Sequence, residues 1–357
     1  MRKWSLLAFI YLVSLAVSAQ SDVPGIWNAG VGGQFYPVFP ADSIHFGKIR
    51  TQKQLFLVNL YAGFAVVKGE YTFVNTTDQP IDIQIGYPLS GHYPQRIVEN
   101  VFYNDLYNFR AKANGISVKP YRLSDSVKVR PVNINGNESS SSLVTDWYVW
   151  QQEFPAGATT TLTVYFITQN NLSKFKKGDE SRDANAFGFF FESGNAWGRK
   201  IESGDIFIKM NDKLSLIEIK GLLPDSLLKG NLYHLQYSFK NLEPEPVKNL
   251  LIWYEGAAPD YKFDKKVLPS TDTLYKMMDA FPVSEFNDTG FKLISRKNFS
   301  VAKSGLTFSG VLYFLMFFMP WIILAGVIVF LLKGKKKIES GKSKIESKIE
   351  NNGPNFT

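Results

Sequence analysis

The residue types that carry most protein chemistry are scarce in this chain. Cysteine is absent, and His45, His92 and His234 are the only histidines among 357 residues. That composition excludes a thiol nucleophile and a structural Cys/His zinc site. The histidines lie far apart and form no HExxH pair, so a helical metalloprotease site is excluded as well. No Gly-x-Ser-x-Gly elbow presents a serine above a sheet. Gly30-Val31-Gly32-Gly33 lacks the Lys-Ser/Thr of a phosphate loop and reads as a flexible entry segment. Oxygen ligands crowd at Asp179, Glu180, Asp183 and Asn185, a density suited to calcium. Their spacing matches no EF-hand, and Lys174, Lys176, Lys177 and Arg182 oppose a cation, so a solvated connector is expected. His92 falls in Ser90-Gly91-His92-Tyr93-Pro94, expected as a loop where it steadies a turn. No catalytic residue, metal ligand set or cofactor site is therefore assigned.

Aromatic side chains are the excess, at 15% of residues. Trp and Tyr exposed on a sheet can stack on sugars or anchor a protein partner. In Trp147-Tyr148-Val149-Trp150 the two-residue strand period sets Tyr148 and Trp150 on the face opposite Trp147 and Val149. One pair must then face away from the first core, and burial between domains is its expected fate. Tyr148, Trp150 and Trp197 are the candidate recognition aromatics, Trp197 with a core role weighed ahead.

The elements that would position them are mostly strands. Leu55 to Tyr61 is a short, nearly continuous apolar run. Phe64 to Asn75 is a longer strand, and Ile81, Ile83 and Ile85 alternate with polar residues after the break at 76–80. Two such runs across a short polar turn predict an antiparallel hairpin. Trp147 to Phe154 and Leu162 to Phe166 predict a second across Pro155-Ala156-Gly157, and Asn114-Gly115 marks a third within 109–118. Strands are also expected at 187–191, around Ile206 and Ile208, at 233–239 and at 249–253. A single helix is expected, with Leu274, Met277, Met278 and Phe281 on its buried face and Pro282 ending it. Many short strands with little helix imply a mainly β chain of two antiparallel β-sandwich-like domains.

Three segments carry a resemblance. These are Tyr71-Thr72-Phe73-Val74-Asn75-Thr76-Thr77-Asp78 with Ile85-Gly86-Tyr87-Pro88-Leu89, the stretch Trp150 to Gly157, and Glu192-Ser193-Gly194-Asn195-Ala196-Trp197-Gly198. They are similar to segments of exported bacterial β-sandwich proteins of unknown function. The resemblance implies a β-sandwich and an envelope location, and it implies no activity.

The two ends of the chain speak about place. Arg2 and Lys3 precede an apolar stretch from Leu6 to Val17, and Val17-Ser18-Ala19 offers a signal-peptidase site. Leu306 to Leu332 contains no charged residue, and about 27 residues make a helix of roughly 40 Å, enough to cross a bilayer. Tyr313 reads as an interfacial anchor, Pro320 with Trp321 as a mid-span kink, and Lys333, Lys335, Lys336 and Lys337 as the cytoplasmic end. The expected organisation is a signal peptide (1–19), sandwich domains (20–170 and 171–258), a juxtamembrane segment with a short helix (259–305), a transmembrane helix (306–332) and a basic tail (333–357). Of the net charge of +8 the ends carry most, leaving the body about +2, so no nucleic-acid partner is expected. Membrane lipid and an envelope protein or glycan are the expected partners.

This reading makes the chain a single-pass envelope protein, its bulk periplasmic or extracellular and its tail cytoplasmic, with a binding or scaffolding role. Two alternatives stand beside it. One is an anchored glycan hydrolase using paired carboxylates that folding brings together. The other is a subunit of a membrane complex docking through the transmembrane helix.

Overall fold

In the computed structural model the described residues are 25–33, 35–37, 45, 47–94, 100–124, 127–129, 142–177, 180–191, 197, 200–212, 214–216, 219–222, 228–244, 249–254, 261–287, 290–293, 316–317, 319–321, 323–335, 338 and 341–342. The chain divides into a unit of residues Met1–Lys303 and a second of Ser304–Thr357.

The first unit is mainly β, built on two mixed sheets. The nine-stranded sheet runs in the order Lys292–Leu293, Leu228–Gly230, His234–Leu242, Ile201–Met210, Ile49–Leu60, Phe64–Asn75, Thr159–Gln169, Tyr107–Ala113, Ile116–Val118. The larger, twelve-stranded sheet has as its main path Val127–Val129, Ser142–Phe154, Ile81–Pro94, Asn100–Tyr103, Gly25–Gly32, Asn185–Phe189, Leu250–Tyr254, Ile219–Leu222. The expected antiparallel pairing is thus corrected. Ile201–Met210 lies parallel to Ile49–Leu60, and Gly25–Gly32 lies parallel to both Asn100–Tyr103 and Asn185–Phe189. Strands beyond residue 170 enter both sheets, so the expected division there falls inside shared sheets rather than between two sandwiches. Parallel neighbours need long connections, which leave no turn signature in the sequence.

Two of the three expected hairpins are corrected in the same way. Phe64–Asn75 pairs with Ile49–Leu60 and Thr159–Gln169, whereas Ile81–Pro94 pairs with Ser142–Phe154 in the other sheet. The polar turns at 76–80 and 155–158 therefore carry the chain from one sheet to the other. They lie side by side, with the Asn75 N–H donating to the Ala158 carbonyl at 3.1 Å and Gly157 N–H to Thr77 at 2.8 Å. A turn signal reports that the chain reverses, and side-chain faces decide whether it pairs or crosses. The Asn114-Gly115 hairpin forms as expected, pairing Ala113 with Ile116, with positive φ at both turn residues.

The largest buried cluster draws from both sheets, including Phe56, Tyr71, Phe73 and Phe166 from one and Ile85, Tyr87, Phe154 and Phe187 from the other. Each such side chain contributes roughly 1.5–3 kcal/mol over its exposed state. Polar bridges cross the same core: Tyr71 Oη donates to the Gly33 carbonyl at 2.8 Å, and the Gly33 N–H donates to Tyr87 Oη at 3.1 Å. Burial pushes both phenols up. The glycine run is therefore no loose entry segment. A Cβ on Gly32 would meet the Phe56 ring at 2.5 Å, so only glycine admits that ring.

The outer faces are covered as well. Trp147 and Val149 join Ile26, Tyr103, Phe175 and Trp253 in a second cluster on the larger sheet. On the nine-stranded sheet, Leu57, Val66, Tyr165 and Phe207 receive Phe263, Tyr275, Met278 and Phe286. The helix Thr271–Asp279 supplies part of this cover, as expected, but its buried residues are Thr271, Tyr275 and Met278, with Met277 exposed. Of the expected face Met278 and Phe281 are buried and Leu274 packs against this cluster, so Met277 alone departs from it, while Tyr275 adds a ring 5.3 Å from Tyr165.

Of the second unit, residues 323–335 are helical and carry exposed apolar side chains, among them Ile328 and Phe330. Among the described residues no helix is long and apolar enough to cross a membrane. The signal peptide, Tyr313, Lys336, Lys337 and most of the tail lie outside the described residues. Pro320, Trp321, Lys333 and Lys335 lie in helical positions.

Candidate functional site

The strand Tyr107–Ala113 alternates its side chains across the sheet, so Arg110 and Lys112 share the outer face with their cross-strand neighbours Tyr165 and Thr163. The next strand over, Phe64–Asn75, adds Lys68 opposite Tyr165. Against this polar strip lies the helix Thr271–Asp279. Tyr275 Oη donates to the Asn108 carbonyl at 2.8 Å, and Asn108 Nδ2 donates to Thr271 Oγ1 at 2.6 Å. Asn108 can do so because its backbone adopts a positive φ of 53°, a region asparagine tolerates.

Helix and strand do not close completely. Between them runs a groove formed of two adjoining hollows of about 380 and 290 Å³, which share Arg110 and Asp272. One hollow is lined by Asn108, Phe109, Leu268, Pro269 and Thr271, the other by Lys112, Ser117, Tyr165, Tyr275, Lys276 and Asp279.

Charges in and beside the groove come in pairs. Arg110 Nη2 lies 2.5 Å from Asp272 Oδ1. Lys68 Nζ lies 3.0 Å from both Glu70 and Asp279, and Tyr165 Oη donates to Asp279 at 2.6 Å. Burial works against the Lys68 ammonium, yet its bonds to Glu70 and Asp279 outweigh that and push it up. Partial burial alone would raise the Asp279 carboxyl; the hydrogen bonds from Tyr165 and Lys68 win and hold it low. Burial and its bond to Asp279 push the Tyr165 phenol up to about 12. Every shift deepens the form present near neutral pH, so these groups are held rather than poised for proton transfer. Both tyrosine rings are also capped, Tyr275 by the Arg110 guanidinium at 5.0 Å and Tyr165 by Lys68 at 5.6 Å and Lys112 at 5.4 Å.

The candidate recognition aromatics lie elsewhere. Trp150 and Trp197 are each 4% exposed. The Trp197 indole donates to the Phe35 carbonyl at 2.8 Å and packs against Phe73 and Phe154, while Trp150 meets Phe35 edge-on. As placed, neither presents a ring to solvent. Tyr148 is half-buried and stacks at 4.4 Å on Phe109, a residue that lines one hollow of the groove. The expected loop around His92 belongs to the strand Ile81–Pro94, where the imidazole stacks on Phe102 at 4.4 Å. The acidic connector is a hairpin of Lys174–Lys177 with Glu180–Asp183, and no metal-holding group of His, Asp or Glu occurs among the described residues. Sequence reading passed over Arg110, Lys68, Tyr165 and Asp279. The partners Arg110 and Asp272, and Lys68 and Asp279, lie more than a hundred positions apart.

No family model matches the chain, and no curated protein matches it. Among solved structures, a Legionella pneumophila protein described as a "putative nutrient binding protein" is similar at 14% identity and a TM-score of 0.44, over 76% of this chain and 82% of that one. An M1 zinc metallopeptidase from Deinococcus radiodurans is similar at 9% identity and a TM-score of 0.26, over 58% of this chain. The match spans 42% of that peptidase's length.

Proposed function

We propose that the chain is a binding or scaffolding protein of a bacterial envelope, held at the membrane by residues 306–332 with its β body outside the cytoplasm. The observation that carries the non-enzymatic part is the state of the groove's ionisable groups. Lys68, just beside the groove, is held protonated by Glu70 and Asp279, burial and then Asp279 keep the Tyr165 phenol protonated, and bonds from Tyr165 and Lys68 keep Asp279 ionised. The glycan-hydrolase alternative needs a raised carboxylic acid and a second carboxylate about 5–9.5 Å away. Glu70 and Asp279 both lie 3.0 Å from Lys68 Nζ, so their bonded oxygens stand within about 6 Å of each other, but the lysine between them ties them into an ion-paired cluster and Asp279 is lowered, so it is not the raised acid that chemistry needs. The exposed apolar side chains on the helical stretch 323–335 support the anchor, since such a surface favours lipid over water.

In vivo crosslinking of the full-length protein, with identification of what is captured, tests the role. A reproducible partner absent from an unrelated membrane-protein control is expected, and capture of nothing specific overturns the reading. Replacing 306–332 by an unrelated anchor should leave that capture intact; its loss would favour docking through the apolar run. Topology is testable because the chain has no native cysteine. Ile116→Cys, at a site 74% exposed, should react with an impermeant maleimide once the outer permeability barrier is opened, and Thr357→Cys only after lysis.

A further inference from the structure

The groove's lining alternates in sign. Arg110 sits with Asp272, and Lys112 shares the second hollow with Asp279, whose partner Lys68 lies outside the lining; the Ser117 and Thr271 hydroxyls and the Asn108 amide line the hollows beside them. The Arg110–Asp272 pair is open to solvent, with side chains 51% and 77% exposed. A guanidinium has five N–H donors and a carboxylate about four acceptor sites, so this pair keeps most of its capacity. An anionic ligand would meet Asp272 and Asp279, a cationic one Arg110, Lys112 and Lys276. Cations cap Tyr165 and Tyr275, so the apolar lining is limited to Phe109, Leu268 and Pro269 at one end of the groove. A hydroxyl both donates and accepts, so neighbouring hydroxyls can bridge a cation and a carboxylate without net charge.

Building on the binding role above, we propose that this groove takes a neutral, hydroxyl-rich ligand, a short oligosaccharide, with Arg110 and Asp272 as its principal contacts. Five residues from Asn108 to Lys112 span about 15 Å of extended chain, room for more than one sugar ring. The carboxylates hold the ligand and do not hydrolyse it, because Asp279 is bound to Lys68 and Tyr165 and lowered rather than raised as a general acid.

The test uses full-length protein in lipid nanodiscs, which avoids sugar-based detergents. Malto-, cello- and chitohexaose are titrated calorimetrically beside polygalacturonate. Saturable binding of a neutral oligomer is expected, with little dependence on salt. Arg110→Gln with Asp272→Asn should weaken it at least about tenfold, as expected for losing charged hydrogen bonds. Arg50→Gln with Glu202→Gln removes an ion pair of the first unit that lies outside the groove lining and should leave binding unchanged. Failure of all neutral oligomers, undiminished binding by the groove variant, or salt-sensitive binding of polygalacturonate alone overturns the proposal. Should crosslinking still capture a partner in that event, the ligand class falls and the binding role stands.

Discussion

Asn75 Nδ2 donates to the Phe154 carbonyl at 2.9 Å, and so ties together the two places where the chain leaves one sheet for the other. The same amide donates to Gln79 at 2.8 Å, and its oxygen accepts from the Thr77 N–H and hydroxyl. One buried side chain thereby serves two crossovers, 76–80 and 155–158, that share no local sequence.

Asn75→Ala should lower stability by about 1–3 kcal/mol, because the Phe154 carbonyl is left buried without that donor. Denaturant melts should show an earlier midpoint with an unchanged slope. Asn75 also begins a glycosylation sequon, yet it is 1% exposed. Mass spectrometry of protein made in a glycosylating host should find it unmodified.

Asp279→Asn should cost about 0.5–1 kcal/mol, discounted because the carboxylate is half exposed and screened. Since Asp279 is lowered from 3.8, its contribution is present above that value and fades as pH falls through the lower folded one. Melting curves of parent and variant should therefore converge in strong acid.

Tyr165 gives the opposite sign. Its phenol is raised from 10.0 to about 12, so the stability it confers is complete below pH 10 and is lost as pH rises through 12. Difference absorbance against Tyr165→Phe should show one phenolate appearing near pH 12.

Gly32→Val should destabilise by about 1–3 kcal/mol through overpacking against Phe56. The companion Phe56→Leu, which shortens the opposing ring, should return part of that loss in a double-mutant cycle.

How much of this was legible in the sequence follows from the range of each interaction. Strand positions, the Asn114-Gly115 hairpin and the helix at 271–279 depend on neighbours within a few residues, so period and turn chemistry revealed them. Alternation placed Trp147 and Tyr148 on opposite faces and required one of the two pairs to leave the first core, and packing decided that it was Trp147 with Val149. The pairing partners of Phe64–Asn75 and Ile81–Pro94 were not legible, because a polar turn looks the same whether it closes a hairpin or joins two sheets. Nor was the groove. Arg110 meets Asp272, and Lys68 meets Asp279, only after Tyr107–Ala113, Phe64–Asn75 and Thr271–Asp279 have been stacked across more than a hundred residues of chain. Composition and periodicity alone made this chain β-rich, without thiol or zinc-protease chemistry and apolar near its end. Tertiary structure decided which sheet each strand joined and which charges met, because those outcomes rest on long-range packing that no local pattern encodes.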